Sequence, residues 1–474
     1  MRRTKIVATL GPASAPPNVM EDLLQAGVDV VRLGLAHGTV DGHILDMGRV
    51  RDAAAARGRT IGILADLPGP KVRTGAFPDR GTFLAEGDRL DLEAGAGDSD
   101  GHRIVVDEPR LPGIVGRGDT IVLGDGIVSL EVLGVDGPTV RAVVRTGGRL
   151  QGRPGAHLPS GHWVPSVPTE HDLRLVDEVA RHADWVAVSF VRRPEELVRV
   201  REALGPDGPR LMAKIETRAA VEHLDPILEV ADGVMVARGD LGIDCPLEEV
   251  PHLQKRIIRA CAARGTPVVT ATQMLESMVT APTPTRAEAT DVANAVLDGT
   301  DALMLSAETA IGHDPVQAVR TMARIARRAE RSELPAVGGT PERGLVHQRG
   351  PSTKAITVAM AHAASRAASE LGLSAIVCCT NTGATARAMA ALRPGCRLLG
   401  ASPRPATARQ LAISWGVEPL VVDEYSSTDE MIWCVVEAVV HGGVVHHGEM
   451  IAVLAGAPES PEGTTDVLRV VSIS

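Results

Sequence analysis

A strand, a helix and a second strand are indicated by residues 210–240, RLMAKIETRAAVEHLDPILEVADGVMVARGD. Two short apolar runs, RLMAKIE (210–216) and DGVMVARGD (232–240), flank a longer amphipathic stretch, as in the repeated units of a parallel sheet. Six more runs of this kind occur in the chain: KIVAT (5–9), DVVRLG (29–34), TIGILAD (60–66), WVAVSF (185–190), PVVTATQ (267–273) and ALMLSAE (302–308). Each of the eight is followed by a stretch that can form a helix. Eight strand–helix units predict an α/β fold, a closed (β/α)8 TIM barrel rather than an open sheet.

Two other parts of the chain have a different character. From about residue 74 to 166 the sequence is rich in Gly and Asp turns between short alternating segments, which predicts a small β-barrel domain inserted into the TIM barrel. After a Gly- and Pro-rich stretch, strand–helix alternation returns and predicts a C-terminal open α/β domain. We therefore expect a first part of the barrel (1–73), the inserted domain (74–166), a second part of the barrel (167–335), a linker (336–351) and the C-terminal domain (352–474).

Composition excludes several classes of protein. Of the 474 residues, 44% are hydrophobic and 23% charged, which is typical of globular proteins. Aromatic residues make up only 2% and the net charge is -10, so neither base stacking nor neutralisation of a phosphate backbone is favoured, and no nucleic acid partner is expected. The six Cys show no paired spacing, which favours a reducing cytoplasm over a disulfide framework or a zinc site. No apolar run reaches about 18 residues, so no membrane contact is expected.

Polar side chains stand at or just beyond the carboxyl ends of the predicted strands, where barrel enzymes place their active sites. Lys214 and Glu216 lie two residues apart on one strand, so both are expected on the same face. Carboxylates, guanidinium groups and an ammonium at one mouth suit a polyanionic substrate and a divalent metal. The residues at these positions are Arg32, His37, Asp66, Arg73, Lys214, Glu216, Arg238, Asp240, Thr272 and Ser306.

Longer motifs are more specific than these positions. They are TKIVATLGPAS (4–14), AGVDVVRLGLAHG (26–38), ILADLPGPKVRTG (63–75), AKIE (213–216), DGVMVARGDLGID (232–244), TATQMLESM (270–278), PTRAEATDVANAVLDGTDALMLSAET (284–309) and TNTGATARAMAALRP (380–394). In this order they resemble the pyruvate kinase family over nearly the whole chain. The resemblance implies a barrel whose inserted β domain acts as a lid, a regulatory C-terminal domain and a homotetramer.

The resemblance also implies the reaction, which is transfer of the phosphoryl group of phosphoenolpyruvate to ADP, giving pyruvate and ATP in glycolysis. Glu216 and Asp240 would hold Mg²⁺ or Mn²⁺. Lys214 would stabilise the transferring phosphoryl group, and Arg32 and Arg73 would neutralise its oxygens.

Other residues take their roles from the same motifs. Thr272 would orient the substrate carboxylate and, with Ser306 through ordered water, assist protonation of the enolate. Backbone N–H groups around Arg238, Gly239 and Asp240 would bind that carboxylate.

The nucleotide is expected on the lid side of the mouth. His37 and Arg73 would lie near it, and Arg153, in the sequence RPGAHLP where the family has KGVNLP, would contact it from the lid. Closure of the lid would exclude water.

The chain departs from the family pattern at the potassium site. The family has R-x-N-x-S-H-G, with Asn and Ser as K⁺ ligands, where this chain has Gly34 and Ala36. Lys71 stands where K⁺-dependent members have Glu, and Leu67 where they have Thr. Unit charges about 4 Å apart interact by about 4 kcal/mol at an effective dielectric constant near 20. We therefore predict that the Lys71 ammonium, beside Asp66, replaces K⁺ and that K⁺ is not required.

A loop in the C-terminal domain matches the place where family members bind a phosphorylated effector. Thr380, Thr382, Gly383 and Thr385 put hydroxyl groups and a glycine at the start of a predicted helix, which suits a phosphate. Ala384 stands where several members have Arg. The loop could therefore bind a different effector, or it could be an ordinary strand–helix turn.

Two other functions remain open from the sequence. The loss of the Asn and Ser ligands would also fit a catalytically impaired paralogue that senses phosphorylated metabolites. A metal-dependent barrel lyase acting on a pyruvate enolate would share Glu216 and Asp240 but would need neither the lid nor the residues on the ADP side.

Overall fold

The computed structural model describes residues 2–124, 126–159, 165–332, 353–425, 427–456 and 464–473. The predicted linker at 336–351 lies outside these ranges. Within them, eight parallel strands close into a barrel in the spatial order β1, β16, β15, β14, β13, β12, β3, β2. These strands are β1 (Lys5–Thr9), β2 (Val30–Gly34), β3 (Gly62–Asp66), β12 (Trp185–Val188), β13 (Arg210–Ile215), β14 (Gly233–Ala237), β15 (Val268–Ala271) and β16 (Ala302–Leu305).

Helices surround this barrel, and capping residues mark where they begin and end. For example, a capping box of Thr285 and Glu288 starts one helix, and Gly299 ends it with φ +103°. The helices are α1 (Pro17–Ala26), α2 (Val40–Ala56), α4 (Glu170–Val179), α5 (Pro194–Leu204), α6 (Arg218–Glu222), α7 (Leu224–Val230), α8 (Arg238–Asp244), α9 (Val250–Ala262), α10 (Arg286–Asp298), α11 (Ala307–Ala310) and α12 (Pro315–Glu330), with 3-10 turns at Ala180–His182 and Glu276–Val279.

The inserted domain is a curled β structure between β3 and α4. Its strands form a two-stranded antiparallel pair, β10 with β4, and a six-stranded sheet in the order β11, β7, β8, β9, β5, β6. Its own apolar core is separate from that of the barrel. The elements are β4 (Phe77–Leu84), β5 (Arg89–Ala94), β6 (Arg103–Val106), α3 (Leu111–Ile114), β7 (Thr120–Leu123), β8 (Val128–Asp136), β9 (Thr139–Thr146), β10 (Gly148–Gly152) and β11 (Ala156–His157).

The C-terminal domain is a five-stranded sheet with helices on it. Four strands are parallel and the last, β21, pairs antiparallel with β20 at one edge. The elements are α13 (Thr353–Leu371), β17 (Ala375–Cys379), α14 (Ala384–Leu392), β18 (Arg397–Ser402), α15 (Pro405–Leu411), β19 (Val417–Val421), α16 (Thr428–His441), β20 (Met450–Ala455) and β21 (Val467–Ser472).

The C-terminal domain closes the foot of the barrel, the end at which the strands begin. Ala412 and Ile413 are buried in the same apolar cluster as the inward-facing barrel residues. The indole N–H of Trp185 donates to the carbonyl of Gln410 at 3.1 Å. The opposite end, where the strands finish, is therefore the open one, and the predicted fold class is confirmed. No helix among the described residues combines the length and apolarity needed to cross a membrane.

Candidate active site

A cavity of about 920 Å³ opens at the carboxyl ends of the barrel strands. The structure brings most of the predicted site residues to its walls. They are Arg32, His37, Asp66, Lys71, Arg73, Lys214, Glu216, Asp240, Thr272 and Ser306. Closure of the barrel brings these residues together, because they come from six strands and the segments that follow them: β2, β3, β13, β14, β15 and β16.

Lys214 is the centre of a buried cluster of charges on the cavity floor. Its ammonium lies 3.3 Å from Asp66 Oδ1 and 2.9 Å from Glu216 Oε1. It donates to Ser189 Oγ at 2.7 Å. The Arg32 guanidinium donates to Asp66 Oδ2 at 2.7 Å, so both oxygens of Asp66 face cations. The side chains of Asp66 and Glu216 are only 2% and 1% exposed, so these attractions are screened less than at the protein surface, and loss of one partner would leave a buried charge uncompensated.

Burial and neighbouring opposite charges have opposing effects on the pKa values of this cluster. Burial lowers the pKa of Lys214, but Asp66 and Glu216 outweigh it, and the pKa of Lys214 lies well above its usual value. Burial raises the pKa of Asp66, but Lys214 and Arg32 bring the net pKa below the usual range. The pKa of Glu216 is raised by burial and by the nearby charge of Asp240, although Lys214 opposes the shift. Lys214 is therefore a permanent cation, whereas Glu216 lacks enough positive charge for a buried carboxylate.

The residues around Glu216 fit a divalent metal ion. Glu216 Oε2 accepts the N–H of Phe190 at 2.7 Å, which fixes the carboxylate, while Glu216 Oε1 is buried without a well-aligned hydrogen bond. Asp240 lines the same cavity. No group of three or more His, Cys, Asp or Glu within the described ranges could hold a metal by itself. Two carboxylates with the remaining ligands from substrate and water are the arrangement that Mg²⁺ commonly uses.

Thr272 lies in an unusual backbone turn beside this pair. Thr272 and Gln273 have φ of +65° and +53°, which only a minority of non-glycine residues adopt. Its hydroxyl accepts the N–H of Gly239 at 2.8 Å and donates to the carbonyl of Ala271 at 2.7 Å. The Arg238 guanidinium donates to the carbonyls of Ala271, Thr272 and Gln273, at 3.3, 2.6 and 3.3 Å. The Arg238 side chain is thus directed at the turn, and neither Arg238 nor Gly239 lines the cavity.

The nucleotide-side residues gather near the hinge between the barrel and the inserted domain. The pKa of His37 is lowered by partial burial and by the charges of Arg73, Lys71 and Arg32, which keeps its ring neutral. The Arg73 guanidinium donates to the carbonyl of Arg153 at 3.2 Å. The exposed Arg153 side chain pairs with Asp107 at 3.5 Å and does not line the cavity. The structure therefore places Arg153 on the hinge next to Arg73, with its side chain paired to Asp107 and outside the lining of the cavity.

The predicted effector loop lies at the other end of the molecule. Thr380 accepts the N–H of Gly383 at 2.9 Å, and Thr385 shares a 2.7 Å hydrogen bond with Thr465. The carbonyl of Thr382 accepts from Arg210, at the foot of the barrel, at 2.8 Å. Two of the three predicted hydroxyls are therefore buried and engaged within the protein.

Sequence reasoning missed three contributors to the site. Ser189 bridges Lys214 and the carbonyl of Leu67, to which its hydroxyl donates at 2.7 Å. The N–H of Phe190 holds Glu216, and Thr9 accepts from Arg32 at 3.0 Å. Ser189 and Thr9 stand at the carboxyl ends of the predicted runs WVAVSF and KIVAT. Their place at strand ends could have indicated that they belong to the site.

Comparison with known proteins agrees with the fold and the cavity. The family model described as pyruvate kinase, barrel domain, matches residues 1–319, and the one described as pyruvate kinase, alpha/beta domain, matches residues 358–471. The chain is 39% identical to a pyruvate kinase of Geobacillus stearothermophilus over 100% of this chain and 81% of that protein. It is 40% identical to pyruvate kinases of Methylorubrum extorquens, over 100% and 98%, and of Mycobacterium tuberculosis, over 99% and 98% of the two chains. With both domains matched and full-length relatives at this identity, the chain belongs to the pyruvate kinase family of enzymes.

Proposed function

We propose that this enzyme transfers the phosphoryl group of phosphoenolpyruvate to ADP, giving pyruvate and ATP. The observation that carries the proposal is the buried ammonium of Lys214 between Asp66 and Glu216, on the floor of a cavity that Arg32 and Arg73 also line. In the reaction the bond between phosphorus and the enol oxygen breaks, and a β-phosphate oxygen of ADP forms the new bond. The enolate left behind takes a proton on its terminal carbon and becomes pyruvate.

Lys214 acts in this mechanism by charge rather than by giving up a proton. Its pKa lies well above its usual value, so the ammonium persists throughout the reaction. Asp66 and Ser189 fix its position, and a cation fixed before the reaction stabilises the charge that develops on the transferring group. The proton for the enolate must therefore come from elsewhere.

Thr272 and Ser306 are the proposed route for that proton. Both line the cavity, and the Thr272 hydroxyl is held between the N–H of Gly239 and the carbonyl of Ala271. Its single proton is donated to Ala271, so the hydroxyl would have to turn that proton toward the substrate carboxylate to orient it, whereas a water molecule could donate to the hydroxyl oxygen directly. Ser306, at the end of β16, would complete a relay through ordered water to bulk solvent.

Glu216 and Asp240 would hold the divalent ion, Mg²⁺ or Mn²⁺. When bound, the ion supplies positive charge that the phosphoryl and carboxylate oxygens of the substrate can share. Arg32, oriented by Asp66 and Thr9, neutralises phosphoryl oxygens from the other side.

We further propose that Lys71 makes K⁺ unnecessary. Gly34 and Ala36 offer no side-chain oxygen, and both oxygens of Asp66 already face cations. The carbonyl of Leu67 accepts a hydrogen bond from Ser189. Lys71 lines the same cavity as Asp66 and supplies a monovalent positive charge there.

A coupled assay with phosphoenolpyruvate, ADP and Mg²⁺ tests the reaction. Formation of ATP supports the proposal. Its absence would leave an impaired paralogue acting as a sensor, or a lyase, which consumption of phosphoenolpyruvate without ADP would identify.

Replacing K⁺ by tetramethylammonium tests the role of Lys71. Full turnover without K⁺ is expected for the native enzyme and for the control Lys354→Gln, whose exposed side chain lies outside the site. The triple variant Gly34→Asn, Ala36→Ser, Lys71→Glu restores the family's ligands and should become K⁺-dependent. Loss of most native activity without K⁺ would refute this part of the proposal alone.

The remaining predictions from the resemblance are a homotetramer, a cytoplasmic location and a phosphorylated effector at the loop of Thr380 and Thr385. Analytical ultracentrifugation tests the first and cell fractionation the second. For the third, Thr385→Val should weaken effector binding if the loop is the site.

A further inference from the structure

A narrow cleft separates the inserted domain from the barrel, next to the active-site cavity. The inserted domain forms one wall of the cleft with Val122 of β7 and His157 of β11. Phe190, Asp240 and Ile243 belong to the barrel side. The cleft holds about 20 Å³, little more than one water-sized sphere. A small movement of the inserted domain would therefore bring the two walls into contact.

The barrel wall of this cleft belongs to the proposed metal site. Asp240 and Ile243 lie on α8, and the N–H of Phe190 donates to the Glu216 carboxylate at 2.7 Å. Glu216 and Asp240 are the two residues proposed to bind the divalent ion. The inserted domain thus faces both the helix and the backbone group that position these carboxylates.

His157 extends across the cleft toward the end of α8. Its Nε2 lies 3.9 Å from Oδ1 of Asp244, the last residue of that helix. This distance permits an ion pair when the ring is protonated, but a direct hydrogen bond needs about 2.7 to 3.2 Å. An approach of the inserted domain to α8 by about 1 Å would bring the two atoms into hydrogen-bonding distance.

Both partners are anchored in their own domains. His157 pairs with Val122 in the β-sheet of the inserted domain, and the next residue, Leu158, is buried in the core of that domain. Asp244 is only 5% exposed, and its Oδ2 accepts the N–H of Arg218 at 2.7 Å. A closer approach of the two side chains therefore moves the inserted domain as a whole toward α8.

The charges around the cleft favour a cation at His157. Asp244 and Asp240 are both negative and lie on the barrel side, whereas Lys71 is the positive residue that lines the same cleft. The Arg218 guanidinium is paired with Glu249 at 3.6 Å, so its charge is partly balanced. A protonated ring at His157 would face more negative than positive charge, which stabilises the approach of the inserted domain.

We propose that His157 is a positioning residue for phosphoryl transfer, which pairs with Asp244 and thereby holds the inserted domain on α8 in the closed arrangement that retains ADP. Since ADP is placed at this mouth by the proposed function, the role of His157 rests on that function. His157 touches neither the reacting atoms nor the metal ligands in this role, and it acts through the position of the inserted domain.

The variant His157→Gln removes the cation and keeps a polar side chain. An ion pair with a partly exposed partner contributes little, so the KM for ADP should rise about two- to fivefold. kcat should stay close to the native value, because saturating ADP itself favours the closed arrangement. His157→Lys keeps a cation and should keep the native KM. The matched control is His102→Gln, an exposed histidine of the same domain that does not line the cleft.

A double-mutant cycle separates the pair from a structural effect of either change. Asp244→Asn removes the charge but keeps an oxygen for the N–H of Arg218. The double variant His157→Gln, Asp244→Asn should have a KM close to that of the single variants. A native KM in His157→Gln, an equal rise in His157→Lys, additive effects in the double variant, or a lower kcat at unchanged KM would overturn the proposal.

Hydrogen exchange of the metal-free chain without substrates tests the contact independently of the reaction. The amides of β11 and α8 should exchange faster in His157→Gln than in the native protein and in His102→Gln. Equal exchange in the three proteins would overturn the proposal. If the coupled assay forms no ATP, the proposed function fails, whereas hydrogen exchange still decides whether His157 holds the inserted domain on the barrel.

Discussion

Replacing Lys214 by Met removes the ammonium that lies between two buried carboxylates while keeping a side chain of similar length. The lost contacts are those to Asp66 at 3.3 Å and to Glu216 at 2.9 Å. At an effective dielectric constant of about 20, each contributes about 5 to 6 kcal/mol of attraction. Dehydration of the ammonium offsets much of this, so the expected loss is that of breaking a buried ion pair, about 3 to 5 kcal/mol. The variant should fold but be clearly less stable.

The loss should depend on pH in a defined direction. Glu216 already has a raised pKa, and removal of Lys214 takes away the charge that opposes the shift. A carboxyl group with a higher pKa in the folded than in the unfolded state binds protons preferentially on folding. Its favourable contribution is present at low pH and disappears as pH rises through the folded-state pKa. The destabilisation by Lys214→Met is therefore largest at neutral pH and shrinks as the solution is acidified.

Urea unfolding of the metal-free protein measures the free energy of unfolding. The double variant Lys214→Met, Glu216→Gln should recover part of the loss, because Asp66 keeps its ion pair with Arg32 and the second change removes the carboxylate that is left without a cation. The control Lys255→Met breaks the ion pair with Asp298, which lies outside the site, and should cost less than Lys214→Met, because Lys255 is one-third exposed and Asp298 keeps the hydrogen bond from the Gln254 amide at 3.0 Å. Turnover of Lys214→Met should fall by at least about 10²-fold. A stability loss below about 1 kcal/mol, or additive effects of the two changes, would refute the proposed charge balance.

Three further predictions concern neighbouring parts of the site. Lys71→Gln should raise the pKa of His37, whose value Lys71 helps to lower, and NMR titration of the ring would detect this; an unchanged pKa would mean that the two groups do not interact. Arg238→Met should lower kcat by about tenfold or more and leave the affinity for ADP unchanged, because three carbonyls of the adjoining turn lose their donor. Equal changes in kcat and in the affinity for ADP would indicate a general loss of folding. Gly75→Ala should destabilise the hinge of the inserted domain, because the added carbon would lie 2.0 Å from the carbonyl oxygen of Gly97. Faster proteolysis at the hinge would show this destabilisation, and proteolysis at the native rate would contradict the contact.

The barrel could be predicted from sequence because its strands are buried on both faces. A strand such as β1 or β13 has a continuous apolar run in its middle, with polar residues only near its two ends. Counting eight such runs was therefore enough to expect closure. The same logic placed Lys214, Glu216 and Asp240 at one end, since the polar residues follow the apolar run in chain order.

Contacts between strands could not be predicted in this way. Ser189 meets Lys214 because β12 lies between β3 and β13, and spatial neighbours of this kind are fixed only when the barrel closes. The Arg238 guanidinium donates to the carbonyl of Thr272, whose positive φ no propensity of threonine indicates. Side-chain direction and backbone strain are properties of the assembled site, whereas the sequence indicated only which residues reach it.

At Gly34 the family's sequence pattern and the geometry of the site can be considered together. Its backbone does not have a positive φ, and an added Cβ would lie 3.7 Å from the Arg32 guanidinium, which is ordinary van der Waals contact. The fold therefore does not demand glycine at this position, and steric constraint does not explain the absence of the family's Asn. A cation ligand there would instead have to share its ion with Asp66, whose oxygens already face Arg32 and Lys214. With Lys71 supplying charge from the cavity wall, selection for an oxygen ligand at position 34 would be lost. Gly34→Asn alone should then leave turnover and its independence from K⁺ unchanged, and a K⁺ requirement created by this single change would show that Lys71 does not replace the ion.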